Sequence, residues 1–169
     1  KNEGGILPVG EKVQAAIIGD FAFDPRYQGA GSSMVNSTKV DSIKDMLETS
    51  GISVTGIVRG YQRDGKEDEA MKKEAVDLAR RSDVVLFFFG LNEKSETEGL
   101  DRKHLRIPQN QINLIQELAK ANANMIGIIS AGSVIEMPWH HHFKALLHTA
   151  LMGQAGAGAV LDILSGKVN

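Results

Sequence analysis

The sequence contains no cysteine among its 169 residues, so it can form neither a disulfide framework nor a thiol nucleophile. This absence fits a reducing compartment, and the cytoplasm is favoured. No apolar run approaches the roughly 20 residues of a bilayer-spanning helix. The formal net charge is only −2, which argues against a nucleic acid or an anionic membrane as partner. Since the chain begins at Lys1 without an initiator methionine, a targeting segment can lie ahead of it.

Hydrophobic and charged residues make up 42% and 24% of the chain, as in an ordinary globular protein, and residues 1–169 are predicted to form a single domain. Strand-like apolar runs alternate with helical periodicity along the whole sequence. The predicted strands are 13–19, 52–60, 84–90, 124–130 and 144–151, and the predicted helices are 38–50, 66–82, a segment starting at Pro108, and 155–166.

This alternation predicts an α/β fold, a three-layer α/β/α sandwich with a mostly parallel, flavodoxin-like sheet of about five to six strands. In such sheets ligands bind beyond the carboxyl ends of the strands, where the strand order reverses, here between the first and third strands. The two longest connections, residues 20–37 and 91–107, follow those two strands. Connections this long tend to be functional, so we expect a site where they meet.

Several familiar motifs are excluded. The glycines of QGAGSS, Gly29 and Gly31, lack the third glycine of a dinucleotide-binding loop, because Met34 stands in its place. A phosphoreceiver domain needs an aspartate after the third strand and a lysine after the fifth, and this chain has neither. The serines lack the G-x-S-x-G elbow. The histidines 140–142 are adjacent and point apart on an extended chain, so no metal site is expected and no cofactor is implied.

The stretch SETEGLDRKHLRIP, residues 95–108, carries three carboxylates among four potential cations directly after the most apolar predicted strand. Most charge clusters of this kind are solvated surface loops. A glutamate beside a glycine, as in Glu98-Gly99, can also act as a proton donor when a site closes over it. Its pKa would be raised by burial or by neighbouring carboxylates and lowered by Arg102 or Lys103, and the sequence leaves that balance open.

Segments along the entire chain resemble the second domain of family 3 glycoside hydrolases, above all that of bacterial β-glucosidases. They are KNEGGILPV, VQAAIIGDFAFDPRYQGAGSSMVN, ETEGLDRKHLRIPQNQ, EMPW and GQAGAGAVLDILSGKVN. The resemblance implies a retaining glycosidase acting on terminal β-D-glucosyl or related residues of a glucoside or oligosaccharide. An N-terminal (β/α)8 barrel would be the partner domain and would supply the aspartate nucleophile. Such a barrel takes about 250 residues, more than this entire chain.

In the β-glucosidase branch the acid/base glutamate precedes a Gly-aromatic-Asp-Arg sequence, so the resemblance assigns that role to Glu98. Leu100 stands where the family has the aromatic residue. The glycine-serine loop after the first strand borders the sugar in the family. Candidate substrate-binding residues are therefore Gly31, Ser32, Ser33, Asp101 and Arg102.

Some alternatives stay open at this point. Glu96 or Glu93 could take the acid/base role in place of Glu98. The domain could instead be a non-catalytic, flavodoxin-like module that binds a sugar or a nucleotide, or an interaction domain with one apolar face.

Overall fold

The computed structural model describes residues 1–168 and contains a five-stranded parallel sheet, which confirms the predicted α/β/α fold. The strands are β1 (Ala15–Ile18), β2 (Val54–Val58), β3 (Val84–Gly90), β4 (Met125–Ser130) and β5 (Ala145–His148). Their order in the sheet is β2-β1-β3-β4-β5, the flavodoxin-like order. All four pairings between neighbouring strands are parallel.

Among the described residues, four helices cover the two faces of the sheet: α1 (Ile43–Ser50), α2 (Glu69–Arg80), α3 (Gln109–Ala121) and α4 (Gly156–Ser165). The pair α1 and α4 packs on one face, and the pair α2 and α3 packs on the other. Local signals set the helix ends. Ser42 caps α1 by accepting a hydrogen bond from the amide of Asp45 at 3.1 Å, and Gly51 ends that helix with φ +80°.

The core lies on both faces of β3, all of whose seven residues are buried. Side chains of a strand alternate between the two faces. Phe87 and Phe89 therefore point toward α2 and α3, where their rings stack with centroids 4.7 Å apart, while Leu86 and Phe88 point toward α1 and α4. Burying a side chain of this size contributes about 1.5–3 kcal/mol, so β3 anchors both layers.

Residues 1–3 run antiparallel to β5 along its open edge. Asn2 lies opposite Ala145, the amide of Leu146 donates to the carbonyl of Lys1 at 3.0 Å, and that of Glu3 donates to the carbonyl of Lys144 at 2.8 Å. The sheet thus has five parallel strands and a short antiparallel partner, in agreement with the prediction of a mostly parallel sheet.

β5 is shorter than predicted, since it ends at His148 and not at residue 151. Thr149 turns its hydroxyl onto the carbonyl of Ile129 at 3.0 Å, and Ala150 adopts a positive φ of 50°. A left-handed residue cannot continue a strand, so the apolar pattern of 144–151 overstated its length.

The carboxyl ends of the strands meet at one edge of the sheet, where the chain forms short 3-10 helices at Asp20–Ala22 and Glu93–Glu96. The first belongs to the long connection after β1 and the second to the long connection after β3. Within residues 1–168 none of the helices is long and apolar enough to span a bilayer.

Candidate active site

The two long connections meet at the switch point, as predicted. Ala30, in the connection after β1, forms a parallel bridge with Thr97, in the connection after β3. The amide of Glu98 donates to the carbonyl of Ala30 at 3.5 Å. This bridge places Glu98 at the carboxyl edge of the sheet, above the neighbouring strands β1 and β3.

The carboxylate of Glu98 is exposed, and its partner is a serine. Its Oε2 accepts one hydrogen bond from the amide of Ser32 at 2.9 Å and another from the Ser32 hydroxyl. Both donors favour the ionised form, so the hydroxyl and then the amide of Ser32 lower the pKa of Glu98 below its ordinary value. Within residues 1–168 this carboxylate makes no ion pair.

Gly31 allows this approach between the two connections. Its φ is +86°, a conformation that favours glycine, and a Cβ atom built on it would lie 2.7 Å from the Cβ of Glu98. A side chain at position 31 would therefore collide with the glutamate. The QGAGSS loop thus supplies an amide to a carboxylate of its own chain, whereas a nucleotide-binding loop would offer that amide to a phosphate.

Glu96 is held in a different way from Glu98. Its side chain is 8% exposed and faces the guanidinium of Arg26, itself 1% exposed, with 3.7 Å between Oε2 and Nη2. It also accepts hydrogen bonds from the Gly132 amide at 3.1 Å and from the Ser133 hydroxyl at 2.7 Å. These contacts make Glu96 an anchor between the connections after β1, β3 and β4.

Glu93 also pairs with an arginine, since its Oε1 lies 3.1 Å from the Nη1 of Arg63. Arg63 in turn binds the carboxylate of Asp20, which is 5% exposed and begins the connection after β1. Arg59 pairs with the same aspartate. This network joins the connections after β1, β2 and β3. Sequence analysis missed it, and its one signal was an aspartate directly after the first strand.

The other predicted site residues surround Glu98 in part. Ser33 and Asp101 are exposed, and neither makes a side-chain hydrogen bond or ion pair within residues 1–168. Arg102 turns away from Glu98, because its Nη1 donates to the Ser133 hydroxyl at 2.7 Å and to the Val134 carbonyl at 2.8 Å. Leu100 is 69% exposed, so the packing of the described residues does not depend on an aromatic ring there.

The histidines at 140–142 form a 3-10 helix far along the chain from this loop. His140 Nδ1 lies 2.8 Å from the Met137 carbonyl, and His141 Nδ1 lies 3.0 Å from that of Pro138. These contacts stabilise the turn. In the part of the chain from 1 to 168, no cluster of three His, Cys, Asp or Glu residues could hold a metal ion.

Residues 1–169 match the family described as "Glycosyl hydrolase family 3 C-terminal domain". The chain belongs to this family. The resemblance drawn from the sequence segments is thereby confirmed.

Two curated relatives of family 3 cover the entire chain. "Thermostable beta-glucosidase B" from Acetivibrio thermocellus is 40% identical over 173 positions, which are 100% of this chain and 23% of that protein. "Exo-alpha-(1->6)-L-arabinopyranosidase" from Bifidobacterium breve is 41% identical over 180 positions, 100% of this chain and 24% of that protein. Two relatives that are about equally identical to this chain are thus named for different sugars.

A solved structure agrees with this family assignment. The crystal structure of the Bifidobacterium adolescentis GH3 β-glucosidase superimposes with a TM-score of 0.93 at 42% identity, over 99% of this chain and 25% of that one. The chain therefore spans about a quarter of the length of the relatives that it matches. The other three quarters of each relative lie outside the region that this chain matches.

Proposed function

We propose that this chain is the acid/base domain of a retaining, β-glucosidase-type glycosidase, with Glu98 as the general acid and base. The observation that carries the proposal is the contrast between three neighbouring glutamates. Glu93 and Glu96 are held by arginines, whereas Glu98 is exposed at the carboxyl edge and bonded to a serine. A proton donor has to reach a substrate, and among these three glutamates Glu98 is the one free to do so.

Retention of configuration needs two carboxyl groups about 5–5.5 Å apart. Glu98 would protonate the leaving glycosidic oxygen in the first step. It would then remove a proton from the water that releases the sugar from the enzyme. The nucleophilic carboxylate would come from a (β/α)8 barrel outside these residues, which fits a chain that covers about a quarter of its relatives.

The pKa of Glu98 has to change between the two steps. Ser32 lowers it in the open domain, which suits the ionised form that acts as a base in the second step. Closure of a barrel over Glu98 would bury the carboxyl group and bring the nucleophile's negative charge close to it. Both effects raise a carboxyl pKa and would prepare the protonated form for the first step.

The surface around Glu98 supports a covering domain. Of the eight large hydrophobic residues that are exposed within residues 1–168, six lie in the connections after β1, β3 and β4: Met34, Val35, Leu100, Leu105, Val134 and Met137. This set is called the apolar rim below. Concentrated exposure of this kind marks an interaction surface. We infer that the barrel contacts the rim and that Gly31, Ser32, Ser33 and Asp101 border the sugar between the two domains.

The proposed substrate is a glucoside or oligosaccharide with a terminal β-D-glucosyl or related residue. This class is supported by the names of the family 3 relatives, one a β-glucosidase and another an arabinopyranosidase. Both relatives share about 40% identity with this chain, so overall identity does not assign the sugar among these related residues.

Replacement of Glu98 in the complete protein tests the assignment. Glu98→Gln should lower kcat/KM on an unactivated disaccharide by about 10²–10⁴-fold, since protonation of a poor leaving group is lost. A dinitrophenyl glycoside needs little acid help, so its first step should continue while release of the sugar slows, and azide should restore turnover. Glu117→Gln is the control, because it removes a solvent-accessible carboxylate that is paired with Lys120 in the C-terminal half of α3, outside the proposed site. An unchanged rate of the Glu98→Gln protein on the disaccharide would move the role to Glu96 or Glu93.

A further inference from the structure

The hydroxyl of Ser133 lies at the centre of a short relay of hydrogen bonds in the connection after β4. It donates to Oε1 of Glu96 at 2.7 Å and accepts from Nη1 of Arg102, also at 2.7 Å. These two partners belong to the connection after β3 and enclose residues 97–101. One serine therefore fastens both ends of the segment that contains Glu98.

Neighbouring backbone groups reinforce the same attachment. The amide of Gly132 donates to Oε2 of Glu96 at 3.1 Å, and the carbonyl of Val134 accepts from Arg102 at 2.8 Å. Both ends of the enclosed segment are thus bound to three consecutive residues, 132–134. The guanidinium of Arg26 lies behind Glu96 and balances its charge.

The enclosed segment has few contacts of its own. Thr97 bridges Ala30 and Glu98 binds Ser32, but Gly99 has a left-handed φ of +80°, and Leu100 is 69% exposed. The position of the Glu98 carboxyl group therefore depends on where the two ends are fixed. Loss of the Ser133 hydroxyl would leave the ends held only by the backbone groups of Gly132 and Val134, and the segment itself by the bridge to Ala30 and the bonds to Ser32.

We propose that Ser133, together with Glu96 and Arg102, forms a clamp that sets the distance between the Glu98 carboxyl group and the glycosidic oxygen. This inference rests on the proposed acid/base role of Glu98. The three residues are positioning residues, since their side chains bind one another and the chain around Glu98. Arg102, expected from the sequence to bind substrate, is assigned to the clamp. Proton transfer requires near hydrogen-bond contact, so a displaced carboxyl group transfers its proton less often.

The test is Ser133→Ala in the complete protein, compared on two substrates. Ser133 is exposed, so the substitution removes the relay without creating a core cavity. We expect kcat/KM on an unactivated disaccharide to fall about 10–100-fold, the scale of a 1 Å misplacement. On a dinitrophenyl glycoside, kcat/KM should fall by less than about threefold, because its leaving group needs little acid assistance.

Two control variants separate positioning from general loss of stability. Ser133→Thr keeps a hydroxyl at this position and should restore most of the activity on the disaccharide. Ser53→Ala removes a serine hydrogen bond of 2.8 Å to the Glu11 carbonyl at the opposite edge of the sheet, and it should change neither substrate's rate. A double variant, Glu96→Gln with Ser133→Ala, should slow the disaccharide by less than the product of the two single effects, since both substitutions act on the same relay.

The outcomes distinguish this inference from the function on which it rests. If Glu98→Gln selectively slows the disaccharide while Ser133→Ala slows both substrates equally, or neither, the clamp is refuted and the acid/base role stands. If Glu98→Gln itself leaves the disaccharide rate unchanged, the proposed function fails and the clamp fails with it. A selective loss in both variants supports both proposals.

Discussion

Glu98 accepts two hydrogen bonds from Ser32, one from its amide at 2.9 Å and one from its hydroxyl. No cation takes part in this contact within residues 1–168. The charge state of the proposed acid/base residue is therefore set locally by one serine and one backbone amide, and both can be tested on the 169-residue chain.

Ser32→Ala should raise the pKa of Glu98 toward its ordinary value. The hydroxyl that stabilises the carboxylate is lost, and the amide donor at position 32 stays. Carboxyl ¹³C NMR titration of the chain would measure this midpoint. In the complete protein the alkaline limb of the kcat/KM profile, where the general acid loses its proton, should move to higher pH for the same reason.

Ser33→Ala is the matched control for that titration, because Ser33 is a neighbouring exposed serine without a bond to Glu98. Its Glu98 midpoint should equal that of the unchanged protein. Equal midpoints in all three proteins would mean that the Ser32 contact does not govern the ionisation of Glu98.

Gly31→Ala should disturb Glu98, while Gly65→Ala should not. Both glycines have a left-handed φ, +86° and +89°, so each substitution should cost about 1–2 kcal/mol in urea unfolding. Only at Gly31 does the added Cβ meet Glu98, and nothing lies within 4 Å of one added at Gly65. We expect the Glu98 pKa to rise in Gly31→Ala alone. A rise in both variants would show that the collision is not the cause.

Glu96→Gln should destabilise the chain by about 3–5 kcal/mol, because it leaves the buried guanidinium of Arg26 without its counter-charge. Adding Arg26→Met should recover part of this loss, since the unpaired charge is then removed as well. Urea unfolding of the single and double variants gives both values. If the double variant were less stable than Glu96→Gln alone, the ion pair would not be the source of the effect.

The 169-residue chain alone should hydrolyse no aryl-β-glucoside detectably, because one carboxyl group cannot perform both steps of a retaining mechanism. A sensitive fluorogenic glucoside assay checks this, and robust turnover contradicts it. Titration of the same chain with glucose and with a nucleotide tests the binding-module alternative. Submillimolar binding of either ligand would favour that module over a domain that needs a partner.

Much of the fold was predictable because periodicity and turn signals are local. The apolar run of β3 and the stop at Gly51 lie where the sequence placed them, whereas α1 begins at Ile43 and not at residue 38, because Ser42 caps it there. The alternation of strands and helices predicted the parallel sheet, and the observed strand order is the flavodoxin-like order expected for it. The end of β5 was predicted wrongly, because apolar periodicity records neither the bond from the Thr149 hydroxyl to the Ile129 carbonyl of β4 nor the positive φ of Ala150.

The choice among the three glutamates was beyond local reasoning. Glu96 and Glu98 are two residues apart in the same charged loop, and their difference comes from Arg26 and Ser32, about 70 residues earlier in the chain. Partners that are distant in sequence therefore determine how buried each of these glutamates is and whether its ionised form is stabilised. The clamp around Ser133 could not be predicted from the sequence for the same reason, since it joins the connections after β3 and β4.

The antiparallel course of residues 1–3 along β5 has a consequence for assembly. Lys1 lies opposite Leu146 and Glu3 opposite Lys144, so the chain enters this strand from the carboxyl edge of the sheet, the edge that carries Glu98. A domain joined ahead of Lys1 would therefore be tethered at the same edge as the loop that carries Glu98. Short tethers give effective concentrations of about millimolar. The apolar rim could then hold its partner with an affinity too weak for two separate proteins to associate.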